Sequence, residues 1–225
     1  MTDIKIGLDV EEIAREVALD LADGSYVNLG IGLPQKVARY IPVGREVVFH
    51  SENGILGVGP EAPSGQEDWD LIDAGKRPVT LLAGGSYIHH TDSFVIVRGG
   101  HLDACVLGAF EVSTRGDIAN WWTGQGIPAV GGAMDLCQGA KSVIVIMRHT
   151  TAEGGPKIVP ACTMPLSAAG VVNRIYTDLG IFTPVGDSVI VNALARGMTR
   201  DYVAARTGVP VAVPDAGAPL ALPRK

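Results

Sequence analysis

Few residues in this chain have the type and spacing to do chemistry. Glu52 stands in Ser51-Glu52-Asn53-Gly54, directly after the run GluValValPheHis at 46–50. A carboxylate just past a buried strand lies where open α/β sheets bind ligands, outside the carboxyl ends of the strands. Partial desolvation there would make it reactive. AsnGly is also a hairpin-turn signal, so position alone leaves Glu52 between a catalyst and a turn residue. A second cluster is Ala129-Val130-Gly131-Gly132-Ala133-Met134-Asp135-Leu136. Successive small residues let backbone N–H groups point into one space, as an oxyanion or phosphate requires. A plain loop leading into a helix explains the same pattern. Gly30-x-Gly32 invites a dinucleotide reading, but Gln35 stands where the third glycine of GxGxxG belongs, which favours a tight strand-to-helix turn.

Other chemistries lack support. His89 and His90 are adjacent, and neighbours on a strand point to opposite faces. His50, His101 and His149 are isolated. A metal site needs convergent ligands, so none is expected, and the histidines read as structural or supporting residues. Cys105, Cys137 and Cys162 are odd in number, widely spaced and free of CxxC, against a disulfide framework or zinc knuckle. Cys105, inside AlaCysValLeuGlyAlaPhe, reads as a small buried hydrophobe. Net charge is −6, no Lys/Arg run exceeds two, and aromatics are 5%. These values argue against a phosphate-backbone or base-stacking partner, while a small anionic ligand needs only one or two local cations.

The 225 residues are 47% hydrophobic and 19% charged, with mean hydropathy +0.25, which excludes intrinsic disorder. Gly 29 and Pro 14 make up about a fifth of the chain, well above average usage and without a period. The longest uncharged stretch, Ile118 to Met134, is full of Gly, Asn, Gln and Trp and reads as no membrane span. The N-terminus shows no apolar signal core, and a soluble cytoplasmic protein is expected.

The elements that must position these residues are legible in part. Asp9 with Glu12 resembles a capping box, and Ile13, Val17 and Leu21 recur at spacing four before Gly24, predicting a helix over about 10–22. A strand at 26–32 breaks into the glycine loop, and Pro34 suits the first turn of a helix to about Tyr40. Strands are predicted at 46–50, 78–83, 94–98, 104–110, 142–148 and 188–193, with helices over 167–179 and from a Thr199 cap to Gly208. Strands alternating with helices give an α/β class. No internal repeat or linker appears, so one domain over 1–208 is expected. A Pro-rich tail at 209–225 follows, holding Pro210, Pro214, Pro219 and Pro223.

AsnLeuGlyIleGlyLeuPro (28–34), SerGluAsnGly (51–54), AlaGlyLys (74–76), ArgGlyGlyHis (98–101), AlaAsnTrp (119–121), GlyGlyAlaMetAspLeu (131–136) and CysThrMetProLeu (162–166) occur together and in order. The chain thereby resembles the B subunits of the 3-oxoacid CoA-transferases of family I, from about residue 10 to 182. The resemblance implies a three-layer αβα fold with a mostly parallel open sheet. It also implies that Glu52 is the catalytic carboxylate, carrying CoA as a glutamyl thioester in a ping-pong exchange. Gly132 and Ala133 would form the wall around the thioester and its oxyanion, with Lys76, Asn53 and Gly131 in CoA binding. No metal or redox cofactor is implied, CoA thioesters being substrates. A separate A subunit completes the site, and such pairs assemble into α2β2 heterotetramers.

His50 before SerGluAsnGly, GlyGlySerTyrIleHisHisThrAspSerPhe (84–94), LeuGlyAlaPhe (107–110) and ThrGlyGlnGlyIleProAlaValGlyGlyAla (123–133) resemble the 3-oxoadipate branch, with succinyl-CoA as donor. Transfer from succinyl-CoA to acetoacetate is the alternative within the family. A sugar-phosphate isomerase of the same fold, or a non-catalytic effector-binding domain, are the rivals from other classes. The latter would need a DNA-binding segment, and no basic helix is visible.

Overall fold

A computed structural model describes residues 6–128 and 130–212, so most of the Pro-rich tail lies outside the described residues. The chain divides into two compact units. One comprises Ala14–Gly108 and Gly132–Val143, the other Met1–Ile13, Ala109–Gly131 and Ile144–Lys225. Helix α1 (Val10–Asp20) begins with the predicted box: Glu12 Oε2 accepts from Asp9 N–H, and Asp9 Oδ1 from Glu12 N–H, both at 2.8 Å. It ends earlier than the apolar spacing suggests, because Arg45 donates to the carbonyls of Leu19 and Leu21 at 2.8 Å and takes over the C-terminal cap.

In the first unit, β1 (Ser25–Leu29), β2 (Val47–Ser51), β3 (Ile55–Glu61), β4 (Val79–Tyr87) and β5 (Ala104–Leu107) lie in the order β5-β1-β2-β3-β4. Strand β1 is parallel to both β2 and β5, with Asn28 level with His50 on one side and Cys105 on the other. The β2-β3-β4 flank is antiparallel. The parallel centre is largely buried, with β5 buried throughout and the polar Asn28 and His50 buried beside Val27, Val47 and Phe49. Gly30 follows β1 because a Cβ there would press on Leu107 Cδ2 and Val106 O, each at 3.1 Å. After the left-handed Gly32 (φ 89°), the predicted helix is a 3-10 helix, Leu33–Tyr40.

Residues 94–98 are not a strand. They belong to helix α2 (His90–Arg98), whose N-cap is His89, with its ring accepting from Thr91 N–H. The run SerPheValIleVal, three of its residues β-branched, mimics a strand, but Ser93 and Val97, one helical turn apart, are the residues buried. Tertiary packing overrides local preference here. Helix α3 (Ala133–Gly139) lies against α2. A Cβ on Gly139 would strike Val97 O, and Arg98 Nε pairs with Asp135 Oδ1 at 2.7 Å.

The second unit holds a small sheet, β6 (Glu111–Ser113), β7 (Ile118–Ala119) and β9 (Ile158–Val159), in the order β7-β6-β9. A larger run orders β13 (Val211–Ala212), β12 (Ser188–Leu194), β11 (Gly180–Val185), β10 (Val172–Tyr176) and β8 (Val143–Ile146). The helix expected over 167–179 is absent. Ala168, Val172, Ile175 and Leu179 are buried at helix-like spacing, but Ala168 bridges to Ile118 and the N–H groups of Val171 and Val172 both donate to Gly116 O at 2.9 Å. Thr199 does cap α4 (Arg200–Ala204), accepting from Tyr202 N–H at 3.2 Å. The AlaAsnTrp and CysThrMetProLeu motifs fold onto one another here. Trp121 Nε1 donates to Leu166 O, and Glu111 accepts from the N–H groups of Thr163 and Met164. His149 is buried between the hydroxyls of Thr177 and Thr207, and burial lowers its pKa to about 4. The class is the α/β class expected, with parallel pairings at β1–β2, β1–β5, β12–β13 and β6–β9 among the described residues.

Candidate active site

Ser51-Glu52-Asn53-Gly54 is both the hairpin turn and the centre of the candidate site. Gly54 N–H donates to Ser51 O at 3.0 Å and closes the β2–β3 hairpin with Glu52 at its tip. Gly54 has φ 119°, and a side chain there would collide with Ile88 O. Ile88 N–H donates to Gly54 O at 2.9 Å, which ties the approach to α2 onto the turn.

Two further bonds tie the turn to the loop 72–77. Asn53 Nδ2 donates to Ile72 O at 2.7 Å, and Ala74 N–H donates to Ser51 Oγ at 3.0 Å. Asn53 therefore shapes the site from within. Lys76, at the bend of that loop, adopts φ 62° and is exposed. Its neighbour Arg77 is fully engaged, with Nε and Nη2 on Asp73 and Nη1 on Glu61. Glu61 also receives Arg39, and Asp73 also receives Gln35 Nε2 at 2.9 Å. This network forms the polar wall of a cavity of about 860 Å³. The rest of that wall is mostly apolar, including Phe49, Val58 and Leu82, and it reaches Ser51 beside Glu52.

Gly132 comes to Glu52 from the other side. A Cβ built on it would lie 3.0 Å from Phe94 Cζ and 3.7 Å from Glu52 Cγ. Residues 52, 94 and 132, far apart in sequence, thus enclose one small space. Gly132 is not required for an unusual backbone angle. Its φ is −86°, open to any residue, and the requirement is for space. The left-handed residue is Gly131, at φ 58°. Ala133 is the first residue of α3, and the first N–H groups of a helix have no partner within it.

Beneath the turn, His50 is buried. Asn28 Nδ2 reaches both His50 O and His50 Nδ1 at 3.0 Å, and His50 Nε2 lies 2.7 Å from Ser93 Oγ. If the amide donates both protons, Nδ1 is bare and Nε2–H donates to Ser93. Burial lowers the His50 pKa to about 4, so the ring is a neutral strut between β2 and α2. Asn28 Oδ1 is buried with no partner among the described residues.

Burial raises the Glu52 pKa above its ordinary 4.5, opposed by a hydrogen bond to its own backbone and by His90, and reinforced by Asp73. Folding therefore favours the protonated acid, and stability falls as pH rises from 4.5 through the folded value. Glu52→Gln is expected to melt higher than wild type at pH 7 and to lose that advantage at pH 4. A difference in Tm independent of pH would contradict this.

His89 and His90 are not opposed strand neighbours. His89 caps α2, while His90 opens the helix with its ring 5.1 Å from that of Phe94. Sequence reasoning missed both His90 and Phe94 as site residues. The HisHis pair was visible, but assigning it to a strand removed any reason to bring it to Glu52. Among the described residues, no group of His, Cys, Asp and Glu could hold a metal ion, and no helix is long and apolar enough to cross a membrane.

The family model for Coenzyme A transferase matches residues 10–206. The B subunit of the 3-oxoadipate CoA-transferase of Pseudomonas putida is 52% identical over 89% of this chain and 94% of its own length. Its namesake from Acinetobacter baylyi is 51% identical over 88% and 92%. The B subunit of the probable succinyl-CoA:3-ketoacid coenzyme A transferase of Bacillus subtilis is 43% identical over 90% and 94%. Among solved structures, the acyl-CoA transferase YdiF of Escherichia coli O157:H7 shares the fold, with a TM-score of 0.73 at 18% identity over 95% of this chain. This chain spans only 44% of that larger one. With a glutamate at a hairpin tip, a glycine wall against it and a family model over most of its length, the chain belongs to the coenzyme A transferase family.

Proposed function

We propose that this chain is the B subunit of a CoA-transferase that moves CoA from succinyl-CoA to a 3-oxoacid, with 3-oxoadipate as acceptor. The observation that carries the reading is the meeting of Glu52 and Gly132 across one small space. Similarity to subunits named for 3-oxoadipate, at 52% and 51% identity, favours that acceptor over acetoacetate.

The chemistry follows from moving CoA between two carboxylates. A Glu52 oxygen attacks the thioester carbon, and the C–S bond breaks to leave a mixed anhydride and CoA thiolate. The thiolate attacks the glutamyl carbonyl, and the C–O bond breaks to release the free carboxylate. The acceptor carboxylate then attacks the glutamyl thioester, and the two steps run in reverse. Every nucleophile and leaving group is an anion, so no proton is transferred and the neutral His50 beneath the turn has no acid–base role. Glu52 must be ionised to begin, and its raised pKa marks a partly desolvated carboxylate, more nucleophilic than a fully hydrated one. Each attack creates an oxyanion, which the N–H groups of Gly132 and Ala133 would receive. Losing one such donor commonly costs about 2.7–4 kcal/mol. Anhydride and thioester both hydrolyse, so water must be kept out, and a companion A subunit would close the site. No metal or redox cofactor enters any step.

Co-purification with an A subunit and an assay of CoA exchange over a panel of acids test the reading. Exchange between succinyl-CoA and 3-oxoadipate that needs both chains is the expected result. Full turnover by this chain alone, or exchange confined to monocarboxylates, would overturn it.

A further inference from the structure

A dicarboxylic substrate places a second negative charge a few bonds beyond the reacting carbonyl. With the acyl carbon at Glu52, that charge would lie near the Glu52 carboxylate, and a donor or cation would offset the repulsion. The nearby guanidinium groups are committed: Arg77 to Asp73 and Glu61, Arg39 to Glu61, and Arg98 to Asp135. His89 is occupied in capping α2.

His90 is differently placed. Its backbone N would lie 3.9 Å from a Cβ on Gly54, so it starts beside the catalytic turn. Its ring leans on Phe94, tilted by 40°, and the tip of Phe94 abuts Gly132. Ser93, bonded to His50, fixes the helix that carries both rings. The His90 side chain is exposed, and no described residue hydrogen-bonds its ring nitrogens. An imidazole carries an N–H donor whether neutral or charged.

We propose that His90 recognises the carboxylate distal to the reacting carbonyl and thereby selects dicarboxylic over monocarboxylic substrates. The inference rests on the CoA-transferase reading above. Phe94 holds the ring at the rim while the acyl carbon lies between Glu52 and Gly132. The distal carboxylate then accepts a hydrogen bond from the ring instead of standing unpaired near Glu52.

The test uses the assembled enzyme with its A subunit. In ping-pong kinetics, kcat/KM for the donor reports the first half-reaction alone. It is measured with succinyl-CoA and with acetoacetyl-CoA, which lacks the second carboxylate, for wild type, His90→Ala and His90→Gln. For His90→Ala the expected loss is about tenfold to a hundredfold with succinyl-CoA, the scale of a lost charge-assisted hydrogen bond, and under about threefold with acetoacetyl-CoA. His90→Gln, which keeps an N–H donor, should recover most of it, and both variants should melt with wild type. Equal losses on both donors, or none, overturn the His90 assignment and leave the CoA-transferase reading standing. A wild type that uses acetoacetyl-CoA but not succinyl-CoA overturns the choice of substrate and the His90 assignment together.

Discussion

Glu52→Ala is expected to lower kcat by roughly 10⁴-fold or more, the scale on which loss of a covalent nucleophile is felt. The folded protein should survive the change. Glu52 sits at a half-buried hairpin tip, and the turn is held by the backbone bond of Gly54 to Ser51 and by the side chains of Ser51 and Asn53. Glu52→Asp keeps the charge but withdraws it by one methylene, and a displacement near 1 Å costs about 10²-fold. Steady-state turnover and Tm measured on one preparation separate chemistry from folding. Glu52→Ala enzyme with wild-type kcat would remove the glutamate from the mechanism.

Gly132→Val is the second large effect. A Cβ alone meets Phe94 Cζ at 3.0 Å and Glu52 Cγ at 3.7 Å. The two further methyl groups of valine must displace the ring, the carboxylate or both. The backbone angle of −86° imposes no strain on any side chain, so the change acts on the reacting space. The expected loss is about 10²-fold in kcat, comparable to a missing oxyanion donor, with Tm shifted by only a few degrees. Gly132→Ala should fall between, since the tip of an aromatic ring can give by a few tenths of an ångström. Early melting with normal turnover per folded molecule would make Gly132 a turn residue only.

Local signals in the sequence led to much of this architecture. The Asp9/Glu12 box started α1, Thr199 started α4, and the apolar run before Ser51 placed Glu52 at the end of a strand. The failures share a cause. The segment Ser93 to Arg98 has strand-like composition but buries only Ser93, which meets His50, and Val97, which meets α3. Residues 168–179 carry helix-like spacing while their backbone is committed to β10 and to the loop at Gly116. Spacing reports which residues are buried, and two different backbones can bury the same set. The site was legible as motifs, Glu52 and Gly132 among them, but not as a place. That His90, Phe94 and Gly132 gather around Glu52 depends on α2 being a helix docked on α3, a long-range outcome invisible to local pattern. Asn53 falls within the right motif, and the bond from its amide to Ile72 and the loop that carries Lys76 is a further long-range contact that no local pattern announces.

The central claim is that Glu52 itself carries CoA. The assembled enzyme, incubated with succinyl-CoA and no acceptor, should gain the mass of CoA less one water on this chain, and peptide mapping should place it at Glu52. Addition of 3-oxoadipate should discharge it. A stable adduct on any other residue, or turnover through both half-reactions with no adduct formed on this chain, would contradict the account.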